Sequence, residues 1–394
     1  LPLLAGCGGG GGSSRTQEPP PPGETRHWTV MVYMAADNDL EEYAILDLDE
    51  LESVGSTDEL TILVQIDRAP GGYSGAGNWT GTRRYLVTRD STPGVIGSQL
   101  ISDLGERDMA SPATLSGFIN WANDNYPADN TLLVLWDHGR GWRTTSFLGG
   151  GRAIRAIHLD ETSGTEMSLA ELTSALGAAP SSDVVLFDAC LMGMLEVAWS
   201  VRDSAGIMVA SEENVLATGQ RYNLPIGRLR SNPLTTPDQL AEYLVDDYTG
   251  YYYRQNVTMS AIDLSSLDTL AAAADTLSQA IQAASPSDNQ RVRDARAAAQ
   301  SYDSDNGTYR DYKDLYDFAD RLAGAVTDQS IRSAALAVRD TVEATVLYES
   351  HSGSWVSGSH GLAVYLPASG SMLDQYRSIS FAADTLWDEW LATY

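Results

Sequence analysis

Lysine is all but missing from this chain of 394 residues. Lys313 is the sole example, and 25 Lys+Arg against 53 Asp+Glu leave a formal net charge of −28. So acidic a surface repels phosphate backbones, and no basic patch interrupts it, which argues against nucleic acid as a partner. The solitary lysine also removes the phosphate-binding loop G-x-x-x-x-G-K-[ST], because it sits in Asp311-Tyr312-Lys313-Asp314 with no glycine run ahead of it. Cysteine is scarce too: Cys7 and Cys190 cannot build a disulfide framework, so each needs its own explanation. No segment reaches the ~18–20 apolar residues of a membrane-spanning helix. H-E-x-x-H, a Cys/His cluster able to hold zinc, and G-x-S-x-G do not occur, which sets aside hydrolases of those types and leaves no metal site by this reading. With 43% hydrophobic residues the chain can still bury a sizeable core.

The N-terminus reads as an address. Leu4-Ala5-Gly6-Cys7, followed by glycines, serines and a proline run, resembles the bacterial lipobox. Residues 1–7 are then the remnant of a lipoprotein signal peptide, and residues 8–26 a tether that is flexible in its Gly part and stiffer in its Pro part. The expectation is lipidation of Cys7 and an extracytoplasmic domain held to a bacterial membrane by its lipid anchor only. The plainer alternative is an apolar tail ahead of a linker.

From Trp28 the pattern becomes that of a fold. Trp28–Met34, Leu60–Ile66, Thr131–Trp136, Asp183–Phe187 and Ile207–Ala210 are short apolar runs that read as buried strands. Arg83–Thr88, the neighbourhood of Ile157, and Thr258–Asp263 read as further strands. Helical spacing covers Leu40–Val54, Pro112–Tyr126 with Ser111 as its cap, Ser168–Leu176 with a Ser168/Glu171 capping box, and the stretch through Trp199. An Ala-rich portion after Pro237 predicts helices near 264–284, 287–300 and 314–349. A last strand at Leu362–Leu366, stopped by Pro367, is expected to return to the same sheet. The class is α/β: a mainly parallel sheet with helices on both faces. Residues 27–236 form the core, and residues 237–394 complete the same unit.

In open α/β sheets ligands bind beyond the carboxyl ends of the strands. The polar residues there are Asp37/Asn38/Asp39, Asp137/His138, Asp188/Cys190 and Ser211/Glu212/Glu213. If 131–136 and 183–187 are parallel neighbours, His138 and Cys190 face one cleft. A cysteine is a capable nucleophile once an imidazole takes its proton, and the imidazolium can then protonate a leaving amine. The N–H groups of Gly139 and of Cys190, the latter expected at a helix start, could stabilise an oxyanion. Taken singly, such a Cys is more often a small buried hydrophobe, and such a His a structural hydrogen-bonder; the coincidence of both carries the functional reading. Asp303-Ser304-Asp305-Asn306-Gly307 hints at a calcium loop but lacks the closing Glu, so a solvated turn is expected and no cofactor is required.

Several motifs together resemble the clostripain-type cysteine peptidases of the caspase-like superfamily. They are Val32-Tyr-Met-Ala-Ala-Asp-Asn-Asp-Leu-Glu41, Trp136-Asp-His-Gly-Arg-Gly-Trp142, Leu159-Asp-Glu-Thr-Ser-Gly164, Phe187-Asp-Ala-Cys-Leu-Met-Gly-Met-Leu-Glu196, Ala210-Ser-Glu-Glu213 and Gly361-Leu-Ala-Val-Tyr-Leu-Pro367. The resemblance implies a caspase-like fold, a His138–Cys190 dyad, and Asp188 in an acidic pocket for the side chain before the cut bond, with Arg or Lys preferred there. Ser211 and Glu213 match positions near that pocket. Relatives often cut themselves between the His and Cys segments, which here makes Arg143, Arg152 and Arg155 candidate sites, the latter two favoured. One departure stands out: Val215-Leu-Ala-Thr-Gly-Gln-Arg-Tyr222 replaces the family's frequent Pro-Gly-x-Gly-Trp stretch, and that loop shapes the pocket. The expected activity is a cysteine endopeptidase acting on proteins or peptides with basic residues. The rival is a catalytically silent lipoprotein on the same fold, serving as a surface binding module.

Overall fold

The computed structural model describes residues 26–143, 157–304 and 306–393. In chain order its elements are β1 (Arg26–Ala36), α1 (Glu41–Val54), β2 (Leu60–Arg68), β3 (Gly81–Leu86), β4 (Gln99–Gly105), α2 (Pro112–Asn125), β5 (Ala128–Trp136), β6 (Ile157–Asp160) and β7 (Thr165–Met167). Then come α3 (Leu169–Gly177), β8 (Ser182–Asp188), α4 (Leu195–Val201), β9 (Ala205–Ala210), α5 (Pro225–Ser231), α6 (Pro237–Tyr251), β10 (Val257–Asp263), α7 (Leu267–Gln282) and α8 (Pro286–Ala298). The last are β11 (Tyr312–Asp314), α9 (Leu315–Ala325), α10 (Gln329–Thr345), β12 (Val346–Ser352), β13 (Ala363–Tyr365), α11 (Ser380–Asp384) and α12 (Trp387–Thr393).

Among the described residues, nine strands form one sheet in the order β12-β10-β9-β8-β5-β1-β2-β3-β4. The inner five, β9 to β2, pair in parallel, and an antiparallel pair closes each edge. Their apolar side chains alternate between faces, as the pleat requires. Met31, Tyr33, Leu133, Leu135, Val185 and Phe187 enter one core, covered by α2, α3, α4, α7, α9 and α10. Val30, Val32, Leu132, Val134 and Leu186 enter the other, under α1, α5 and α6. Burial on both sides is why these strands read as continuous apolar runs in the sequence. The fold is the caspase-like α/β arrangement. The C-terminal portion returns β10 and β12 to the sheet.

Three expectations change in detail. The strand around 362–366 does not join the large sheet: Ala363–Tyr365 pairs with β11 in a separate two-stranded ribbon. The predicted helix over 314–349 is two helices and a strand. Its apolar spacing is nearly unbroken, but Asp328 caps α10 afresh by accepting the N–H groups of Ser330 and Ile331, and Val346–Ser352 peels away as an edge strand. Ser111 stands at the N-cap of α2 without bonding it, whereas Ser168 and Glu171 make the full capping box of α3.

Candidate active site

The parallel register of β5 with β8 pairs Trp136 with Asp188. The residues that follow, Asp137-His138-Gly139 and Ala189-Cys190, therefore emerge side by side at the same sheet end. A cleft of about 180 Å³ opens there, lined by Leu40, His138, Asp188, Cys190, Val215 and Gly219 among others. That is smaller than a drug-sized ligand site and suits one long side chain.

His138 is held at its ring and at its backbone. Its Nε2 lies 2.7 Å from Asp39 Oδ1, and its backbone N–H donates to Asp137 Oδ1 at 2.6 Å. The Asp137 carboxylate also accepts from Asn38 Nδ2 at 2.8 Å and from the Leu159 backbone N–H. Asn38 Nδ2 further reaches the carbonyls of Ala35 and Leu159, at 2.9 and 3.0 Å. The β1 end, the β5 end and β6 are thus laced into one shelf beneath the imidazole. Burial pushes the Asp137 carboxyl up to about 7, against the pull of the His138 charge and of its N–H donors.

Cys190 is partly buried, and its Sγ is 3.5 Å from the Val215 carbonyl. It does not open a helix, as the sequence reading supposed: it sits in a turn, and α4 starts only at Leu195. The chain reverses instead through Leu191, whose φ of +62° is a left-handed conformation seldom taken by a branched side chain. Gly139 packs directly on the Cys190 peptide; a Cβ there would stand 2.5 Å from the Cys190 carbonyl oxygen and 3.0 Å from its nitrogen. Burial raises the thiol to about 11. Below that value the thiolate fraction grows about tenfold per pH unit, because each unit lowers the proton concentration tenfold and a single group titrates. Alkylation of Cys190 by iodoacetamide should therefore be slow at pH 7 and still accelerating at pH 10, where a free cysteine has levelled off. A rate that plateaus near pH 8.5 in a titration followed by mass spectrometry would contradict this.

The floor of the cleft is anionic. Asp188 is not a helix cap. Its carboxylate accepts the Gln220 N–H at 3.0 Å and the Tyr222 hydroxyl at 2.7 Å. A second carboxylate, Asp47 of α1, comes close to it and accepts Trp136 Nε1 at 2.7 Å. The two flank Gly219, where a Cβ would lie 2.8 Å from Asp188 and 3.1 Å from Asp47, at a φ of +51°. Burial raises both carboxyls above the ordinary range, and for Asp47 the charge of Asp188 adds to it. The loop 215–222, where the sequence departs from its family's pattern, thus supplies one cleft wall and both donors to Asp188.

Ser211 and Glu213 stand elsewhere. Both are wholly buried and outside the cleft lining. Ser211 Oγ is 3.0 Å from Thr258 Oγ1, and the Glu213 carboxylate takes the N–H groups of Asn214, Asp303 and Ser304. They brace the turn behind Cys190 rather than line the cleft. Asp303 likewise has its oxygens engaged by the N–H groups of Asn306, Thr308 and Tyr309. Arg143 is clasped by the rings of Trp142, Tyr309, Tyr312 and Tyr365, 5.3–5.6 Å from its guanidinium, and is paired with Asp311. Cys7, Arg152 and Arg155 lie outside the described residues. Asp39 was named in the sequence only as one acid of a strand-end cluster, without a role; Asp47 escaped it, because it gives no signal within an acidic helix.

A thiol and an imidazole over an acidic recess, at the carboxyl ends of neighbouring parallel strands, define a site equipped for cysteine-based acyl transfer. The model of the clostripain family matches residues 32–394. Clostripain of Hathewaya histolytica is 24% identical over 396 residues, spanning 86% of this chain and 74% of that protein. Two solved structures share the fold. One is a secreted C11 cysteine protease of Bacteroides thetaiotaomicron in complex with an irreversible peptide inhibitor, with a TM-score of 0.69, 20% identity and coverage of 94% of this chain and 100% of that one. The other is an inactive zymogen C11 protease of Parabacteroides distasonis, with a TM-score of 0.69, 22% identity and coverage of 92% and 99%. The chain belongs to the clostripain family and is a cysteine peptidase.

Proposed function

We propose that this peptidase cuts after basic residues, arginine foremost, with Cys190 as nucleophile and His138 as the group that moves the proton. The observation that carries the reading is that thiol, imidazole and the Asp188 carboxylate line a single cleft sized for one side chain, with Asp47 beside Asp188. A guanidinium brings a permanent charge and a planar fork of donors, which matches a pair of carboxylates in a recess better than an ammonium does. With Nε2 engaged by Asp39, Nδ1 of His138 is the nitrogen that serves the thiol.

In the acylation step the Cys190 proton passes to His138 and the sulfur attacks the carbonyl carbon. The resulting oxyanion is held by the N–H groups of Gly139 and Cys190, whose backbones are packed against each other. The C–N bond then breaks as His138 protonates the leaving amine, and water releases the acyl group by the same route in reverse. Asp39 positions the imidazole.

Three finer readings accompany this one. Self-cleavage falls at Arg152 or Arg155 rather than Arg143, whose side chain is already committed to Asp311 and four rings. The protein works outside the cytoplasm, in keeping with a structural relative described as secreted. Cys7 carries a lipid anchor; among the described residues no helix is long and apolar enough to cross a membrane.

Matched reporter amides ending in Arg and in Ala test the central reading. The Arg compound should be hydrolysed with a kcat/KM at least about 100-fold higher, the effect of one buried charge pair. Equal rates would remove the specificity, and no hydrolysis of either after processing would favour the silent binding module.

A further inference from the structure

Along the chain the basic residues are scattered, yet folding gathers four of them at one place. A cavity of about 500 Å³ lies between the end of α8, the stretch leading into β11 and the chain just past β13, and it shares no lining residue with the cleft of Cys190. Its cations are Arg293 and Arg296 of α8, Arg310, and Lys313 of β11, the only lysine in the protein. Two acids line it as well, Asp294 and Asp311, and Asp311 is already paired with Arg143. In a molecule with a formal charge of −28, cations outnumber acids here.

Among the described residues none of the four pairs with a carboxylate. Arg293 donates to Gln290 Oε1, at 2.7 Å from Nη2 and 3.2 Å from Nε, Arg310 lies 4.9 Å from the centre of the Trp355 ring, and Lys313 Nζ donates to the Ala299 carbonyl at 3.2 Å. Arg296 is the deepest. It is 4% exposed, gives Nη2 to Ser369 Oγ at 2.5 Å, and keeps Nη1 buried with no hydrogen-bond partner. Burial pushes its guanidinium down to about 10, and the charge of Arg293 adds to that. Burial lowers Lys313 too; Arg310 and Arg296 act in the same direction, while Asp311 and Asp317 oppose it. Asp317 is itself held by Arg321 at 2.8 Å.

Burying an unpaired guanidinium is costly, and grouping like charges around it adds to the cost. Elsewhere this acidic chain pairs its buried arginine, as Arg68 with Glu41 at 2.6 Å. An anion shared by the four cations removes the penalty. Guanidinium forks and an ammonium point charge are the donors that suit phosphate oxygens. Four cations against two acids call for two negative charges, which one phosphate group supplies and one carboxylate does not. The cavity is of small-molecule size, with Leu366, Ala297 and Ala368 as an apolar wall for a short carbon body. We propose that Arg293, Arg296, Arg310 and Lys313 bind a doubly charged phosphate group, free or at the end of a small monoester, and that it clamps α8 to β11 and to residues 366–369.

The test is titration calorimetry on the full chain at pH 8. Inorganic phosphate should bind saturably at about millimolar concentration or below, which chloride at equal ionic strength does not reproduce, and it should raise the melting temperature. Glycerol 3-phosphate separates the two sources: tighter binding than phosphate assigns the site to a monoester, equal or weaker binding to the free ion. Acetylation of Lys313, followed by peptide mass mapping, should slow as phosphate saturates. Arg296→Met should weaken phosphate binding at least about tenfold, the worth of one charged hydrogen bond. Arg310→Gln, at an exposed position, should weaken it by a similar factor without disturbing the core, which keeps the test decisive if Arg296→Met folds poorly. Arg254→Gln, exposed and outside the cavity, should leave it unchanged. No phosphate effect beyond that of chloride at about 10 mM, or binding that Arg310→Gln and Arg293→Gln both leave intact, overturns the proposal whatever the peptidase activity proves to be.

Discussion

Cys190→Ala should abolish peptide hydrolysis, with kcat falling on the order of 10⁵- to 10⁶-fold, the scale seen when the nucleophile of a protease is removed. His138→Ala should cost nearly as much, and the double variant little more than either. The reason is cooperative: at a thiol raised to about 11 almost no thiolate exists at neutral pH, so sulfur without base is as idle as base without sulfur. Two losses that simply multiply in steady-state kinetics would show the groups acting independently, and the dyad would have to be abandoned. Asp39→Asn separates positioning from chemistry. It keeps a hydrogen-bonding side chain beside Nε2 but removes the charge, so it should lower kcat and shift the pH profile while leaving KM nearly unchanged.

The second large effect is expected at the floor of the cleft. Asp188→Asn should lower kcat/KM for an Arg reporter roughly 100- to 1,000-fold, the cost of leaving a buried charge without its partner. An Ala reporter should hardly notice the change. Asp47→Asn should act in the same direction, since the two carboxylates border the same glycine. Stability should move the other way. Both carboxyls have folded-state values above the ordinary range, so the folded protein holds more protons than the unfolded chain between those two values. Stability contributed by these groups therefore falls as pH rises through that window. Removing one charge should raise the melting temperature at neutral and alkaline pH and flatten its decline. A melting curve for Asp47→Asn that is lower than wild type at pH 8 would contradict this account of the pair.

The positions of His138 and Cys190 at one sheet end could be read from sequence because they follow strands buried on both faces. Leu132–Trp136 and Val184–Phe187 have to be apolar at every position, so the first polar residues after them mark the sheet end. What that pattern cannot carry is the depth at which other elements cross. Asp47 lies in a helix holding Asp49 and Glu50 nearby, and only the packing of α1 against the β5 end directs it, rather than its neighbours, to Trp136. Ser211 and Glu213 follow β9 as His138 follows β5, yet Thr258 of β10 and the turn at 303–304 draw their side chains away from the cleft. β4 and β12 went unseen because edge strands are half exposed and lose the continuous apolar signature. The 362–366 run has that signature but spends it in the ribbon with β11 and against neighbouring helices.

The order of strands has a mechanical corollary. β1 and β5 come from before residue 144 and β8 and β9 from after residue 156, and β5 lies hydrogen-bonded between β1 and β8. A backbone scission anywhere in 144–156 would sever the polypeptide without dividing the particle. The imidazole would belong to one fragment and the sulfur to the other, stitched together by the sheet's own ladder and by Arg143 seated among rings of the downstream piece. Maturation of such a molecule would alter its covalent count and leave its architecture whole.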